Sequence, residues 1–383
     1  MRVGSTAPVV AVAAVAAAIA NLPAASAVPH QQSLYNGYNG LAGPSAEFYD
    51  DSIPARVTHG VWSTLTSFFG QSHNPVQVIK NAPGVKILDS GYPTADIDSV
   101  AAPRFVLYGD QDVASQSYGA PPYWNITGFN VFNLAFWTVK FGVADNAAKW
   151  AAKSDGDKKW FKSRYAGAGM KLMVSVFGAT DTPQSMGKDP VQLGKTIAAF
   201  VKKHGLDGVD VDYEEMDLFA QGKSANWLIS LTKSLRAELP SPDYIITHAP
   251  VAPWFNSQMY PEGYAKIHSQ VGNLIDFYNV QFYNQGSSCY TTCDGLIWNS
   301  CDDFPLTSVF EINKYAGVPL DKLVVGKPAI ESDADNGFMR PSVLGGCLNV
   351  GVQNGWKGGA MFWEYPHMTP HRLSVITDAA GLS

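Results

Sequence analysis

The stretch Asp207-Gly-Val-Asp210-Val-Asp212-Tyr-Glu214 decides how this chain is read. Asp210, Asp212 and Glu214 occupy alternate positions, with Val209, Val211 and Tyr213 between them. On a β-strand, alternate side chains leave on opposite faces. The pattern therefore puts three carboxyls on one face and apolar groups on the other. Like charges this close oppose joint ionisation. A strand that serves only as scaffold has no use for the arrangement. A site that must keep one carboxyl protonated beside an ionised neighbour does.

Working outward, seven further apolar runs share this texture: Phe105–Tyr108, Val131–Phe136, Leu172–Phe177, Tyr244–Thr247, Phe277–Tyr283, Leu323–Gly326 and Ala360–Trp363. With Gly208–Glu214 they make eight strand candidates. Stretches of helical period lie between them. In Val191–His204, Leu193, Ile197, Phe200 and Val201 fall on one face, and in Ala225–Leu239 so do Trp227, Leu228, Leu231 and Leu235. Strands alternating with helices imply parallel βαβ units. Eight units predict an α/β chain folded as a (β/α)8 TIM barrel. A doubly wound sheet would carry a Gly-rich phosphate fingerprint after its first strand, and none is present. In a barrel, catalytic groups stand at the C-terminal ends of the strands. Glu214 is then expected at the mouth, with Asp212 and Asp210 successively deeper.

The chain has 383 residues, 46% hydrophobic and 16% charged, which is enough for one large barrel with its own core. A formal net charge of −6, with no basic run, argues against nucleic acid or an anionic membrane as partner. Residues 1–27 read as a signal peptide: Arg2, an apolar run of twelve residues from Val9 to Ala20, then Ala25-Ser26-Ala27. The run is too short to span a bilayer. The expected product is a secreted, extracellular monomer. Residues 28–100 are punctuated by Gly and Pro and read as an N-terminal extension partly packed on the barrel, with a short amphipathic helix near Val61–Phe69. Residues 101–383 are expected to form the barrel domain. Four cysteines, Cys289, Cys293, Cys301 and Cys347, allow three pairings. A small Cys289–Cys293 staple with Cys347 free is one expectation. Asn125-Ile-Thr127 is a glycosylation sequon. The eight histidines form no metal-ligand pattern, so no metal and no cofactor are expected.

The segment 207–214 matches the DxxDxDxE signature and so resembles the glycoside hydrolase family 18 chitinases. Lys171-Leu-Met-Val-Ser175-Val-Phe-Gly178 is similar to that family's third-strand SxGG motif, Val280-Gln281-Phe-Tyr283-Asn284 to its sixth-strand motif, and Gly358-Gly-Ala-Met-Phe-Trp363 to its eighth. Tyr108-Gly-Asp-Gln111 and Asn133-Leu-Ala-Phe136 are fainter echoes of the first two strands. One departure is Phe177, where the family has the first Gly of a pair. It is expected to narrow the barrel or shift a nearby loop.

The resemblance implies retaining hydrolysis of β-1,4 bonds between N-acetylglucosamine units, in which the substrate's own acetamido group is the nucleophile. Glu214 is then the general acid. Asp212 holds the acetamido group, Asp210 tunes Asp212 by sharing a proton, and Tyr283 donates its hydroxyl to the acetamido group. Trp363 floors the sugar pocket, Gln281 binds a sugar hydroxyl, Phe136 and Tyr108 wall the pocket, and Trp254 offers a further subsite. Asp207 reads as a strand brace, Ser175 as a buried support for Asp210, and Glu215 as a rim residue. Chitin or N-acetylglucosamine oligosaccharides are the implied substrates. An endo-β-N-acetylglucosaminidase acting on N-glycans, or a chitin-binding lectin without activity, would share most of these residues.

Overall fold

The computed structural model describes residues 84–96, 100–110 and 118–382. The expected signal peptide, the Val61–Phe69 helix and most of the 28–100 extension lie outside them. Eleven strands are described: β1 (Val85–Ile87), β2 (Pro93–Ala95), β3 (Arg104–Gly109), β4 (Val131–Thr138), β5 (Gly142–Val143), β6 (Lys171–Phe177), β7 (Gly208–Asp212), β8 (Ile245–His248), β9 (Phe277–Gln281), β10 (Leu323–Pro328) and β11 (Gly359–Trp363). Ten helices follow in chain order: α1 (Asp145–Ala151), α2 (Asp155–Gly167), α3 (Pro190–Lys203), α4 (Met216–Ala220), α5 (Ala225–Glu238), α6 (Tyr264–Val271), α7 (Cys293–Ile297), α8 (Val309–Glu311), α9 (Pro341–Gln353) and α10 (Pro370–Ala380).

Strands β3, β4 and β6 to β11 pair in parallel, and β11 closes the ring on β3 with Gly359 opposite Arg104. This is a closed (β/α)8 barrel, and all eight predicted runs are in it. Period 2 divides its apolar side chains into two cores. Val106, Val131, Met173, Ile245, Phe277, Val324 and Met361 fill the lumen. The opposite faces, with Leu107, Leu172, Val209, Val211, Ile246 and Val325, pack against the helices. Helix α3 shows why the intervening segments are helical. Asp189 caps it by accepting from the Gln192 N–H at 2.8 Å, Pro190 sits in its first turn, and Leu193, Ile197 and Val201 bury one stripe.

Gly208 opens β7 where no larger residue fits: a Cβ there would stand 2.0 Å from the Ile245 carbonyl oxygen. Pairing of β7 ends at Asp212 and that of β9 at Gln281, each two residues before the predicted end. Phe177 corrects another expectation. It adopts φ 83°, and Gly178 adopts φ 75°. That is why glycine suits the position. The Phe177 ring turns away from the lumen into the helix-facing core, 6.1 Å from Trp227, so it does not narrow the barrel. Burial of the ring offsets a backbone conformation that L-residues disfavour.

The β1–β2 hairpin shows that part of the expected extension packs on the barrel. The Lys171 ammonium, at the start of β6, donates to the Thr94 hydroxyl at 3.0 Å, and Lys86 pairs with Asp243 at 2.9 Å. The cysteine expectation is overturned. All four are paired, as Cys289–Cys301 and Cys293–Cys347. Cys293 opens α7, and α7 packs on α9, which brings Cys293 to Cys347 with Cα atoms 4.6 Å apart. Closeness in sequence was the poorer guide. No helix among the described residues is long and apolar enough to cross a membrane.

Candidate active site

The carboxyl row stands at the C-terminal end of β7, as barrel geometry requires. Asp210 is wholly buried. Its Oδ2 accepts from the Tyr108 hydroxyl at 2.7 Å and the Ser175 hydroxyl at 2.8 Å. Its Oδ1 accepts from the Thr247 hydroxyl at 2.6 Å and the Asn279 amide at 3.0 Å. Four strands besides β7 thus converge on one carboxylate. Burial raises the Asp210 pKa, and the four hydrogen bonds pull it back.

Asp212 is 4% exposed. Its pKa lies well above the ordinary range, first through burial, then through the charges of Glu214 and Asp210. Burial also raises the Glu214 pKa, against hydrogen bonds from Gln281 and Asp212. The Gln281 amide bridges the pair, donating to Asp212 at 3.0 Å and Glu214 at 3.3 Å, and also to the Ala249 carbonyl at 3.0 Å. None of the three carboxyls forms an ion pair among the described residues. Burial without a paired cation favours the protonated form in this row. Donors occupy both Asp210 oxygens, while the Gln281 amide joins Asp212 to Glu214.

Tyr283 is 7% exposed and keeps its phenol proton, since burial and the nearby Asp212, Glu214 and Asp210 charges all raise its pKa. Trp363, the last residue of β11, is partly exposed. The Phe136 ring lies 5.9 Å from it at 26°, and Tyr108 lies 6.0 Å from it. Gly178 makes room for this wall: a Cβ there would come within 2.9 Å of the Phe136 ring.

Two expectations fail. Trp254 is 3% exposed and stacks on Phe219 with centroids 3.7 Å apart, so it is core and presents no open face. Glu215 is 6% exposed, and its carboxylate accepts from the Gln184 and Ser185 N–H groups at 2.6 and 3.0 Å. It holds the loop after β6 and is no rim residue. Gln281 is placed as a bridge between carboxyls, where a sugar-binding role had been expected. Ser175 and Asp207 take the structural places read for them. Thr247 and Asn279 were missed. A signal existed for Asn279, which shares the parity of Gln281 and Tyr283. Among the described residues no group of His, Cys, Asp or Glu is arranged to hold a metal ion.

The family profile of glycosyl hydrolases family 18 matches residues 104–343, spanning β3 to the start of α9. The chain belongs to that family. Chitinase 1 of Aphanocladium album is 23% identical over 296 residues, covering 73% of this chain and 62% of the relative. Against Endochitinase 1 of Metarhizium robertsii, the chain covers 53% of the relative's length. The crystal structure of a family 18 chitinase from Pseudoalteromonas aurantia superposes with a TM-score of 0.59 at 28% identity, covering 73% of this chain and all of that one. A fungal endo-β-N-acetylglucosaminidase of family 18, 22% identical with a TM-score of 0.53, shares the fold.

Proposed function

We propose that the chain is a secreted chitinase that hydrolyses β-1,4 bonds between N-acetylglucosamine units with retention at the anomeric carbon. One observation carries this reading: Asp212 and Glu214 stand at the barrel mouth without a paired cation, bridged by the Gln281 amide. A buried pair that holds one proton supplies an acid and an anion side by side. Glu214 protonates the leaving glycosidic oxygen while the acetamido oxygen of the same sugar attacks C1. The resulting oxazolinium is cationic. Asp212, as the carboxylate, takes the acetamido N–H and offsets that charge. The substrate's N–H replaces Glu214 as the partner of Asp212, which leaves the proton on Glu214. Water then attacks C1 and gives its proton to Glu214. Two displacements on opposite faces preserve the anomeric configuration.

Asp210, held by four donors, stays fixed beneath Asp212 and keeps its field constant through the cycle. Tyr283, neutral and buried, donates to the acetamido group. Trp363 offers its indole face to the apolar face of the sugar, with Phe136 behind it. The two disulfides, Cys289–Cys301 and Cys293–Cys347, suit an oxidising compartment and support secretion.

A chitin hexamer tests the reading, with product sizes and first-formed anomer followed by proton NMR beside a high-mannose glycoprotein. Shorter oligomers that appear first as the β-anomer are expected, with the glycoprotein intact. First-formed α-anomer would overturn the substrate-assisted mechanism. Release of glycan in place of chitin cleavage would make the chain an endo-β-N-acetylglucosaminidase.

A further inference from the structure

Tyr283 lies two residues beyond Gln281, where the pairing of β9 ends. The Phe282 N–H still donates to the Gly326 carbonyl of β10 at 3.2 Å, so the strand contact stops one residue short of Tyr283, which needs another support. The neighbouring strand supplies a candidate. Lys327 on β10 is fully buried and has the opposite parity to Val324, so it points away from the lumen into the loops above the outer layer. Its ammonium donates to three carbonyls: Phe282 at 2.8 Å, Tyr290 at 2.7 Å and Gly337 at 3.1 Å. It forms no ion pair among the described residues. A buried ammonium without a counter-ion is costly, and burial brings its pKa down to about 7. An apolar residue of similar length would serve packing at less cost. The ammonium gathers carbonyls that a hydrocarbon cannot.

Two of those carbonyls, of Phe282 and Gly337, belong to residues that flank Tyr283. Phe282 immediately precedes Tyr283. Gly337 sits against Tyr283 from the other side at φ 97°, where an added Cβ would be 2.6 Å from the Tyr283 Cα. Asn284, at φ 61°, closes the grip: its N–H donates to the Asn336 carbonyl at 3.2 Å, and its Oδ1 accepts from the Asp335 N–H at 2.8 Å. The loop after β10 and the loop after β9 thus meet on the Tyr283 backbone, and Lys327 ties them together underneath.

We infer that Lys327 is a positioning residue for Tyr283: it fixes the backbone that presents the phenol to the sugar's acetamido group. This rests on the role proposed for Tyr283 above. It predicts that Lys327 affects the rate only through Tyr283, and a double-mutant cycle reads that dependence.

The rate constants kcat and KM are to be measured on a chitin oligomer for wild type, Lys327→Met, Tyr283→Phe and the double variant. Lys327→Met is expected to lower kcat roughly ten- to a hundredfold, the scale of a misplaced catalytic contact, with KM changed less than about twofold. In the Tyr283→Phe background the same substitution should cost less than about twofold. Lys327→Gln, which retains two donors, should fall between wild type and Met and replaces it in the cycle if Lys327→Met does not fold. Gly337→Ala, which presses on Tyr283 from the opposite side, should show the same dependence. Equal losses from Lys327→Met with and without the phenol would overturn the inference and leave Lys327 a loop tie only. A Tyr283→Phe enzyme as fast as wild type would instead sink the role of Tyr283, and the clamp with it.

Discussion

The two ends of β7 hold the same chemical group in opposite circumstances. At the lower end, Asp207 is wholly buried, forms an ion pair with the equally buried Lys162 and accepts from the Leu172 N–H at 2.6 Å. Lys171 stands beside it, tied to the β1–β2 hairpin, and burial lowers its pKa to about 8. At the upper end, Asp210, Asp212 and Glu214 are also buried or nearly so, yet no cation pairs with them among the described residues. The lower carboxyl is paired with a cation and braces two strands. The upper row is not, and burial there favours the protonated form. Pairing with a cation, rather than burial, separates the brace from the proposed reagent.

Exchanging the phenotypes of the two ends would break this contrast. Glu214→Gln should lose about 100-fold or more in kcat on a chitin oligomer, the usual worth of a general acid. Its thermal midpoint should not fall. Turnover close to wild type would remove Glu214 from the mechanism. Asp207→Ala should do the reverse. It strands the Lys162 ammonium in the interior, a loss of about 3–5 kcal/mol in urea unfolding. At 15 °C the folded variant should still turn over within about twofold of wild type. A fully stable Asp207→Ala would show that the lower pair contributes nothing.

Thr247→Val is subtler, since it removes one of four donors to Asp210. A hydrogen bond to a charged group is worth about 1.5–3 kcal/mol, and with three donors remaining the lower figure is expected by denaturation.

The smallest effect is in pH dependence. The Asp212 pKa is raised in the folded state, so the folded protein holds its proton longer than the unfolded chain does. Stability from that proton is complete below the ordinary carboxyl range and is lost as pH rises through the raised value. Asparagine does not titrate. The midpoint of Asp212→Asn relative to wild type should therefore climb from pH 4 to pH 8. A flat difference would mean that Asp212 ionises normally.

Most of the barrel was legible because period 2 and period 3.6 alternate so regularly between Phe105 and Trp363. The carboxyl row was legible for the same reason. What escaped was set by tertiary contact. Nothing around Thr247 in sequence announces that its hydroxyl lies 2.6 Å from Asp210, because β8 meets β7 only in the barrel. Trp254, in a Pro-rich loop, reads as a further subsite, yet Phe219 covers its face. Cys293 and Cys347 lie 54 residues apart and meet through helix packing. The glycine-like backbone of Phe177 is visible only as an angle.

The ring closure has a temporal consequence. β3 is the first barrel strand to be synthesised and β11 the last, and Gly359 pairs with Arg104 at a sequence separation of 255, the difference of the two residue numbers. Until that pairing forms, one edge of β3 and one edge of β10 expose unpaired backbone groups, which invite association with other chains. Contacts this distant in sequence slow folding. During synthesis the ring therefore cannot close until β11 has emerged.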